Sequence, residues 1–256
     1  MSLAVLVPTR CDEAEDVRVD HLLHSLVMQS LDNFRVIVRD EGRIGVFSAR
    51  SVRQFVDLLA RRRIPIEYHR VSEAKGVAAA RRELAGWAAD EQLLCFVDDD
   101  MCLAPDALHR LRDAMLRLPD AGFVQGQKIE ADSGRSYWND INRLNGCEVG
   151  SDPFRIWFGD AALLMIRREA LDDVDWDLVT RYSLDGLAGE DLAMSVMIAD
   201  RRPCYGVPTA LAYHLSPRRT RWIWEAPSDV LQLELLRGRV SAETLRRALP
   251  HLADQI

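Results

Sequence analysis

Three consecutive carboxylates, Asp98, Asp99 and Asp100, follow directly on the apolar run Leu93-Leu94-Cys95-Phe96-Val97. Like charges side by side repel unless a cation compensates them, and a hard divalent metal is the simplest compensator. A cluster of helix-capping acids is the plainer alternative, because Pro105 and Asp106 open a helix shortly afterwards. A second pair of acids, Glu190 and Asp191, follows Gly189. It serves either as favourable charge at a helix N-terminus or as a general base that takes a proton from a reacting hydroxyl. His214 stands just ahead of Arg218, Arg219 and Arg221. An imidazole beside guanidinium groups can hold a metal while the arginines grip phosphate, which they recognise in a bidentate way. The alternative is a hydrogen-bonded interior histidine before a solvated basic loop. Trp222 and Trp224 either stack on a sugar or pack the C-terminal helix.

These groups need elements to carry them. Leu93 to Val97 is short and apolar, as a buried central strand is, so it delivers the three carboxylates to the strand's carboxyl end. Leu3 to Val7 and Phe34 to Val38 read as two further strands, ended by Pro8-Thr9-Arg10 and by Arg39-Asp40-Glu41-Gly42. Ile64 to His69 is a short strand whose Pro65 places it at a sheet edge. Helical spacing runs over Val19 to Ser30, Arg50 to Arg62, Glu73 to Ala89 and Asp106 to about Leu118. This β-α alternation predicts a parallel sheet covered by helices on both faces, with strand ends sharing one rim where ligands bind. Beyond residue 121 the pattern is less regular. Strands are expected at Gly122 to Ile129, Ala161 to Ile166 and Pro203 to Ala212, an amphipathic helix at Asp191 to Ile198, and mostly helix from Val230 to Leu252. Ala131 to Gly150 is polar and reads as a loop with a helical piece.

The chain has 256 residues, 48% hydrophobic and 29% charged, as in an ordinary globular protein with a substantial core. A net charge of -7 argues against nucleic acid and anionic membranes as partners. No window approaches the ~18 uninterrupted apolar residues of a membrane helix, so no integral membrane segment is expected. Leu3 to Val7 begins without a basic region before it, which argues against a signal peptide. Five scattered cysteines with no CxxC pair fit reduced thiols and a cytoplasmic location.

In order along the chain, several segments resemble the nucleotide-sugar glycosyltransferases of the GT-A fold, specifically glycosyltransferase family 2. Val5-Leu6-Val7-Pro8-Thr9 resembles the opening strand, and Val36 to Asp40 the second strand with its base-binding Asp. The usual Asp-Asp-Gly-Ser is here Arg39-Asp40-Glu41-Gly42, so either Asp40 or Glu41 meets the base. Lys75-Gly76-Val77-Ala78-Ala79-Ala80-Arg81 resembles a helix whose Arg lies by the nucleotide, with Arg82 replacing an Asn. Asp98 to Asp100 matches Asp-x-Asp, and Phe158 to Leu171 resembles a segment with Arg-Arg near donor sugar and acceptor. Glu190-Asp191 matches a Glu-Asp motif, and His214 stands where some GT-A enzymes carry a further metal ligand.

The resemblance implies an α/β, Rossmann-like GT-A fold with a mostly parallel central sheet. Its glycosyltransferase domain spans 1–226, divided into a nucleotide-binding half (1–105) and an acceptor half (106–226), with a helical C-terminal extension at 227–256. It implies transfer of a sugar from a nucleoside diphosphate sugar, a UDP-sugar by first choice, to an unknown acceptor hydroxyl with inversion. Asp191, assisted by Glu190, is the implied base. Asp100, His214 and Asp98 are the implied ligands of Mn²⁺ or Mg²⁺. Pro8, Thr9, Arg10, Asp40, Glu41, Lys75, Arg81, Asp98, Asp99, Arg218, Arg219 and Arg221 are the implied donor contacts. Trp138, Gly159 and Asp160 fall to donor sugar and acceptor. A retaining enzyme with the same donor site, and a non-catalytic nucleotide-sugar sensor, are the alternatives. A sugar-1-phosphate nucleotidyltransferase is disfavoured by the acidic Cys11-Asp12-Glu13 after the first strand. A homodimer stays open.

Overall fold

The computed structural model describes residues 1–13, 17–136, 150–184, 189–215 and 236–256. The first half runs β1 (Leu3–Thr9), α1 (Val19–Val27), β2 (Arg35–Asp40), α2 (Arg50–Arg61), β3 (Ile66–Arg70), α3 (Val77–Trp87) and β4 (Leu93–Val97). It continues with β5 (Met101–Leu103), α4 (Ala107–Arg117), β6 (Phe123–Glu130), β7 (Phe154–Ile156) and β8 (Leu163–Arg167). Then come α5 (Trp176–Leu184), α6 (Glu190–Arg201), β9 (Cys204–His214) and α7 (Ala242–Ala248).

One sheet carries these strands in the order β3-β2-β1-β4-β8-β6-β9-β5, with β7 also pairing β9. The expected β-α rhythm holds through β4, and β1 to β4 are mutually parallel. β3 forms the edge that Pro65 implies. The sheet is mostly parallel, as expected, and becomes mixed past β4, where β8 enters antiparallel between β4 and β6, and β5 and β7 both pair antiparallel with β9. β6 and β9 nevertheless run parallel to each other, so their carboxyl ends reach the same rim as those of β1 to β4.

Alternation along the strands separates two cores. In β1, Ala4 and Leu6 join one cluster with α3, α5 and α6, while Leu3, Val5 and Val7 join another with α1, α2 and α4. Each fully buried Val or Leu side chain among them contributes about 1.5–3 kcal/mol. β4 and β8 are buried at every position, which is why they read as continuous apolar runs.

Two helical expectations change. α3 begins at Val77 rather than Glu73, after Gly76 at φ 84°. α6 is not amphipathic: Leu192 to Ala199 are all buried, since the helix packs between the sheet and the C-terminal segment. In the C-terminal segment Leu236 is helical, a turn follows at Arg237–Val240, and α7 and a final 3-10 stretch at Pro250–Gln255 complete it. The described part of the expected helical stretch is thus mostly helical, while 230–235 lie outside the described residues. β5, β7 and α5 were not anticipated; the two strands have only three residues each, too few to show a period. Among the described residues no helix is long and apolar enough to cross a membrane.

Candidate active site

β1, β2 and β4 end in Thr9, Asp40 and the Asp98-Asp99-Asp100 run, and β6 and β9 bring Glu130 and His214 to the same rim. A cavity of about 460 Å³ opens there. Pro8, Thr9, Arg10, Glu41, Val77, Ala80, Arg81, Asp98, Asp99, Asp100, Glu190 and His214 line it. The first turns of α3 and α6 close its side, and α6 starts at Gly189 with φ 122°, a backbone conformation suited to glycine.

Each carboxylate of the triplet has its own partner. Asp98 Oδ1 accepts from Arg81 Nη2 at 2.9 Å, and the same guanidinium donates to Glu190 through Nη1. Burial raises the Asp98 pKa, against the opposing pull of Arg81. Asp99 accepts from the Thr9 hydroxyl and is pushed up to about 7 by burial and by the neighbouring Asp100 and Asp98 charges, against that hydrogen bond. Asp100 Oδ2 lies 3.1 Å from His214 Nε2, and the Leu215 N–H donates to the Asp100 carbonyl at 2.9 Å. The other ring nitrogen, Nδ1, lies 2.7 Å from Glu130 Oε2. Its contact with Asp100, helped by Glu130 and opposed by burial, raises His214 to about 9.

The donor chemistry at Asp100 and His214 fits a hard divalent ion. A ligand distance of about 2.1 Å sets adjacent corners of an octahedron about 3.0 Å apart, close to the observed Nε2–Oδ2 separation. Among the described residues no group of three or more His, Cys, Asp or Glu converges as a metal cage. Mg²⁺ and Mn²⁺ are ordinarily held this way, by one or two protein ligands with the remainder from phosphate and water.

Asp191, on the first turn of α6, is half-buried beside the cavity, and its Oδ1 accepts from the Leu192 N–H at 2.8 Å. Burial, with the charges of Glu190 and Asp160, pushes it up to about 7, against Arg81. A second buried ion pair, Lys128 with Asp160, lies within reach of these charges. Asp160 is held by its N–H to Gln125 Oε1 at 2.9 Å and by the Ala162 N–H donating to Oδ1 at 2.9 Å.

The sequence model of the family described as Glycosyl transferase family 2 matches residues 5–175, most of the chain. The chain belongs to glycosyltransferase family 2. No curated protein matches it by sequence. Among solved structures, this family 2 chain resembles GalNAc-T7 with UDP, GalNAc and Mn²⁺, at TM-score 0.64 and 15% identity over 92% of this chain and 47% of that one. It also resembles residues 1–349 of S. aureus TarS, at TM-score 0.65 and 16% identity over 99% and 72% of the two chains. A third neighbour is the mannosyltransferase PcManGT from Pyrobaculum calidifontis in complex with GDP-Man and Mn²⁺, at TM-score 0.63 and 18% identity over 98% and 74%. The chain spans about half the length of two of the structures it matches, GalNAc-T7 at 47% and S. aureus TarS at 44%. These likenesses establish the GT-A fold.

Within this family 2 fold, the two acids after β2 separate. Asp40 is fully buried and points inward: Oδ1 accepts from the Gly42 N–H at 2.9 Å, and Oδ2 accepts from the Val46 N–H at 2.9 Å and the Tyr68 hydroxyl at 2.6 Å. It shapes the 41–46 loop, and of the pair it is Glu41 that lines the cavity. Lys75 is exposed and directs its ammonium to Glu83, with only its N–H reaching Glu41. Gly159 is packed against the Gln125 and Phe123 side chains, and with Asp160 it lies behind the cavity wall. Arg167 and Arg168 need correction. β8 runs antiparallel to β4, so both fall at the opposite rim, where they donate to the last carbonyls of α4 and α3. Trp138, Arg218, Arg219, Arg221, Trp222 and Trp224 lie outside the described residues. Glu130, Lys128 and Gln125 were missed; the available signal was the polar residues Gln125, Gln127, Lys128 and Glu130 that follow Phe123-Val124 in β6.

Proposed function

We propose that this protein transfers a sugar from a nucleoside diphosphate sugar to an acceptor hydroxyl with inversion, in a metal-dependent reaction, with a UDP-sugar as first-choice donor. The supporting observation is the convergence of Asp98–Asp100, His214, Arg81 and Glu190 on one cavity, beside Asp191. Neighbouring structures that hold UDP or GDP-Man with Mn²⁺ support a donor and metal of this class.

In this reading Pro8, Thr9, Arg10 and Glu41 contact the nucleoside, and Asp98 meets the ribose side of the donor. Asp100 and His214 hold the divalent ion. When bound, that ion neutralises charge building on the departing diphosphate. Arg81 keeps Asp98 and Glu190 in place and offsets their negative charges, which would otherwise repel the donor. Asp191 takes the acceptor proton at a carboxylate oxygen as the acceptor attacks the anomeric carbon from the far side. A carboxyl lifted toward neutrality by burial is a stronger base than an exposed one, which suits that role.

Asp191→Asn removes the base and keeps the shape. The expected outcome is loss of transfer by at least about 100-fold, the usual scale of a positioned base, with nucleotide binding retained; near-normal transfer would sink the assignment. Product anomer by NMR separates inversion from retention. A thermal-shift screen of nucleotide sugars with Mn²⁺ identifies the donor, because a ligand at 100-fold excess over its Kd stabilises by about 2.7 kcal/mol.

A further inference from the structure

His214 sits between two carboxylates, and only one of them, Asp100, belongs to the donor cavity. The other, Glu130, is the last residue of β6, and its approach to His214 depends on an irregularity in the sheet. β6 and β9 pair Gly126 with Val207 but Gln127 with Leu211, so Pro208, Thr209 and Ala210 are extra residues on β9. Without them Glu130 would face Leu211, four positions beyond Val207, as Glu130 is four beyond Gly126. With them it faces His214. Backbone bonds then lock the pair: the Ala131 N–H donates to the His214 carbonyl at 3.0 Å. The Glu130 N–H donates to the Arg135 carbonyl at 2.9 Å, and its carbonyl accepts from Gly134 at 2.8 Å. Both side chains are largely buried, 15% exposed for Glu130 and 9% for His214.

We propose that Glu130 is the positioning residue of the metal centre. It accepts the Nδ1–H of His214 and thereby aims Nε2 at Asp100, where the ion would sit in place of the Nε2 proton. The inference rests on the reading that Asp100 and His214 hold a divalent metal. A carboxylate behind a ligating imidazole fixes the ring's orientation and raises its strength as a donor. Asp100 alone would hold the ion through oxygen and would discriminate poorly between Mn²⁺ and Mg²⁺. The oriented nitrogen favours Mn²⁺, because imidazole suits transition metals better than it suits Mg²⁺.

The test uses the full chain with UDP and, separately, GDP, titrated with Mn²⁺ and followed by EPR. Electron spin-echo modulation reports directly whether an imidazole nitrogen binds the ion. The wild-type protein is expected to give that nitrogen signal and His214→Ala to lose it. Glu130→Ala should also lose it, with Mn²⁺ affinity weakened about 10- to 100-fold, the scale of lost outer partners of a ligand, and Mg²⁺ affinity changed far less. Glu130→Gln keeps an acceptor oxygen for Nδ1–H, so the nitrogen signal should persist with a smaller loss of affinity. If the wild-type protein lacks the signal, His214 is no ligand and both the metal reading and this inference fall. If the wild type shows it and Glu130→Ala keeps both signal and affinity, only the role of Glu130 falls. Should Glu130→Ala fail to fold, an unchanged Mn²⁺ affinity in Glu130→Gln would assign Glu130 to packing and overturn the proposal.

Discussion

Arg81 is 4% exposed and holds two carboxylates at once, Asp98 and Glu190. Burial alone would lower its pKa; the charges of Glu190, Asp98 and Asp191 reverse that, so the guanidinium stays ionised. Replacing it with Met would leave both acids without their cation. Removing one partner of a buried pair costs about 3–5 kcal/mol, and because Asp98 keeps some access to water the lower end is expected for Arg81→Met. Urea unfolding would measure it. Asp191 carries the pH prediction. With its carboxyl pushed up to about 7, Asp191 is mostly protonated at pH 6, so in its proposed role as base transfer should rise about tenfold per pH unit below 7 and level off above. A pH–rate profile of kcat/KM, which reports groups of the free enzyme, checks this. Stability moves the other way. The folded value lies above the ordinary 3.8, so the native state holds the extra proton, and stability from this group falls as pH rises from about 4 to 7.

At the scale of elements, the β6–β9 pair and α6 do most of the positioning. The three-residue insertion in β9 needs close approach at its partner. A Cβ on Gly126 would lie 2.2 Å from Leu163 Cδ2 and 2.7 Å from the Ala210 carbonyl oxygen. Only glycine fits that gap, so Gly126→Ala should destabilise by about 1–3 kcal/mol through overpacking and loosen His214 against Glu130. Chemical denaturation reads the first effect and Mn²⁺ affinity the second. α6 holds its two acids firmly because its sides are packed and Ser195, wholly buried, exchanges hydrogen bonds with Gly159. That bond couples the helix bearing Glu190 and Asp191 to the loop bearing Asp160.

For the whole molecule, the C-terminal segment is part of the structure that supports the site. Leu236, Val240, Leu245, Ala248, Leu249 and Leu252 join the same apolar cluster as α6 and alternate residues of β1 and β4. Asp200 on α6 accepts from the Ser241 N–H at 3.1 Å, and Arg247 stacks 4.8 Å from the Trp157 ring. Leu249 is fully buried there. Leu249→Ala should cost about 2–5 kcal/mol, measured as a lowered midpoint of thermal or urea unfolding, even though the residue lies far along the chain from the carboxylates.

Several features were determined by local sequence alone. Short apolar runs ending in polar residues identify β1, β2 and β4, and the rule that parallel strands share a carboxyl rim brings Thr9, Glu41 and Asp98–Asp100 together. Pro65 marks the edge strand because it lacks the donor an interior strand needs. Tertiary structure alone decided the rest. Nothing local distinguishes Asp40 from Glu41; the turn of the 41–46 loop sends the first inward to backbone N–H groups and the second to the cavity. Arg167 and Arg168 moved to the opposite rim because strand direction, antiparallel in β8, is set by long-range pairing and not by periodicity. Arg81 meets Glu190 across 109 residues and His214 meets Glu130 across 84. Partnerships at that separation are made by packing and register, which hydrophobic spacing along one segment does not encode.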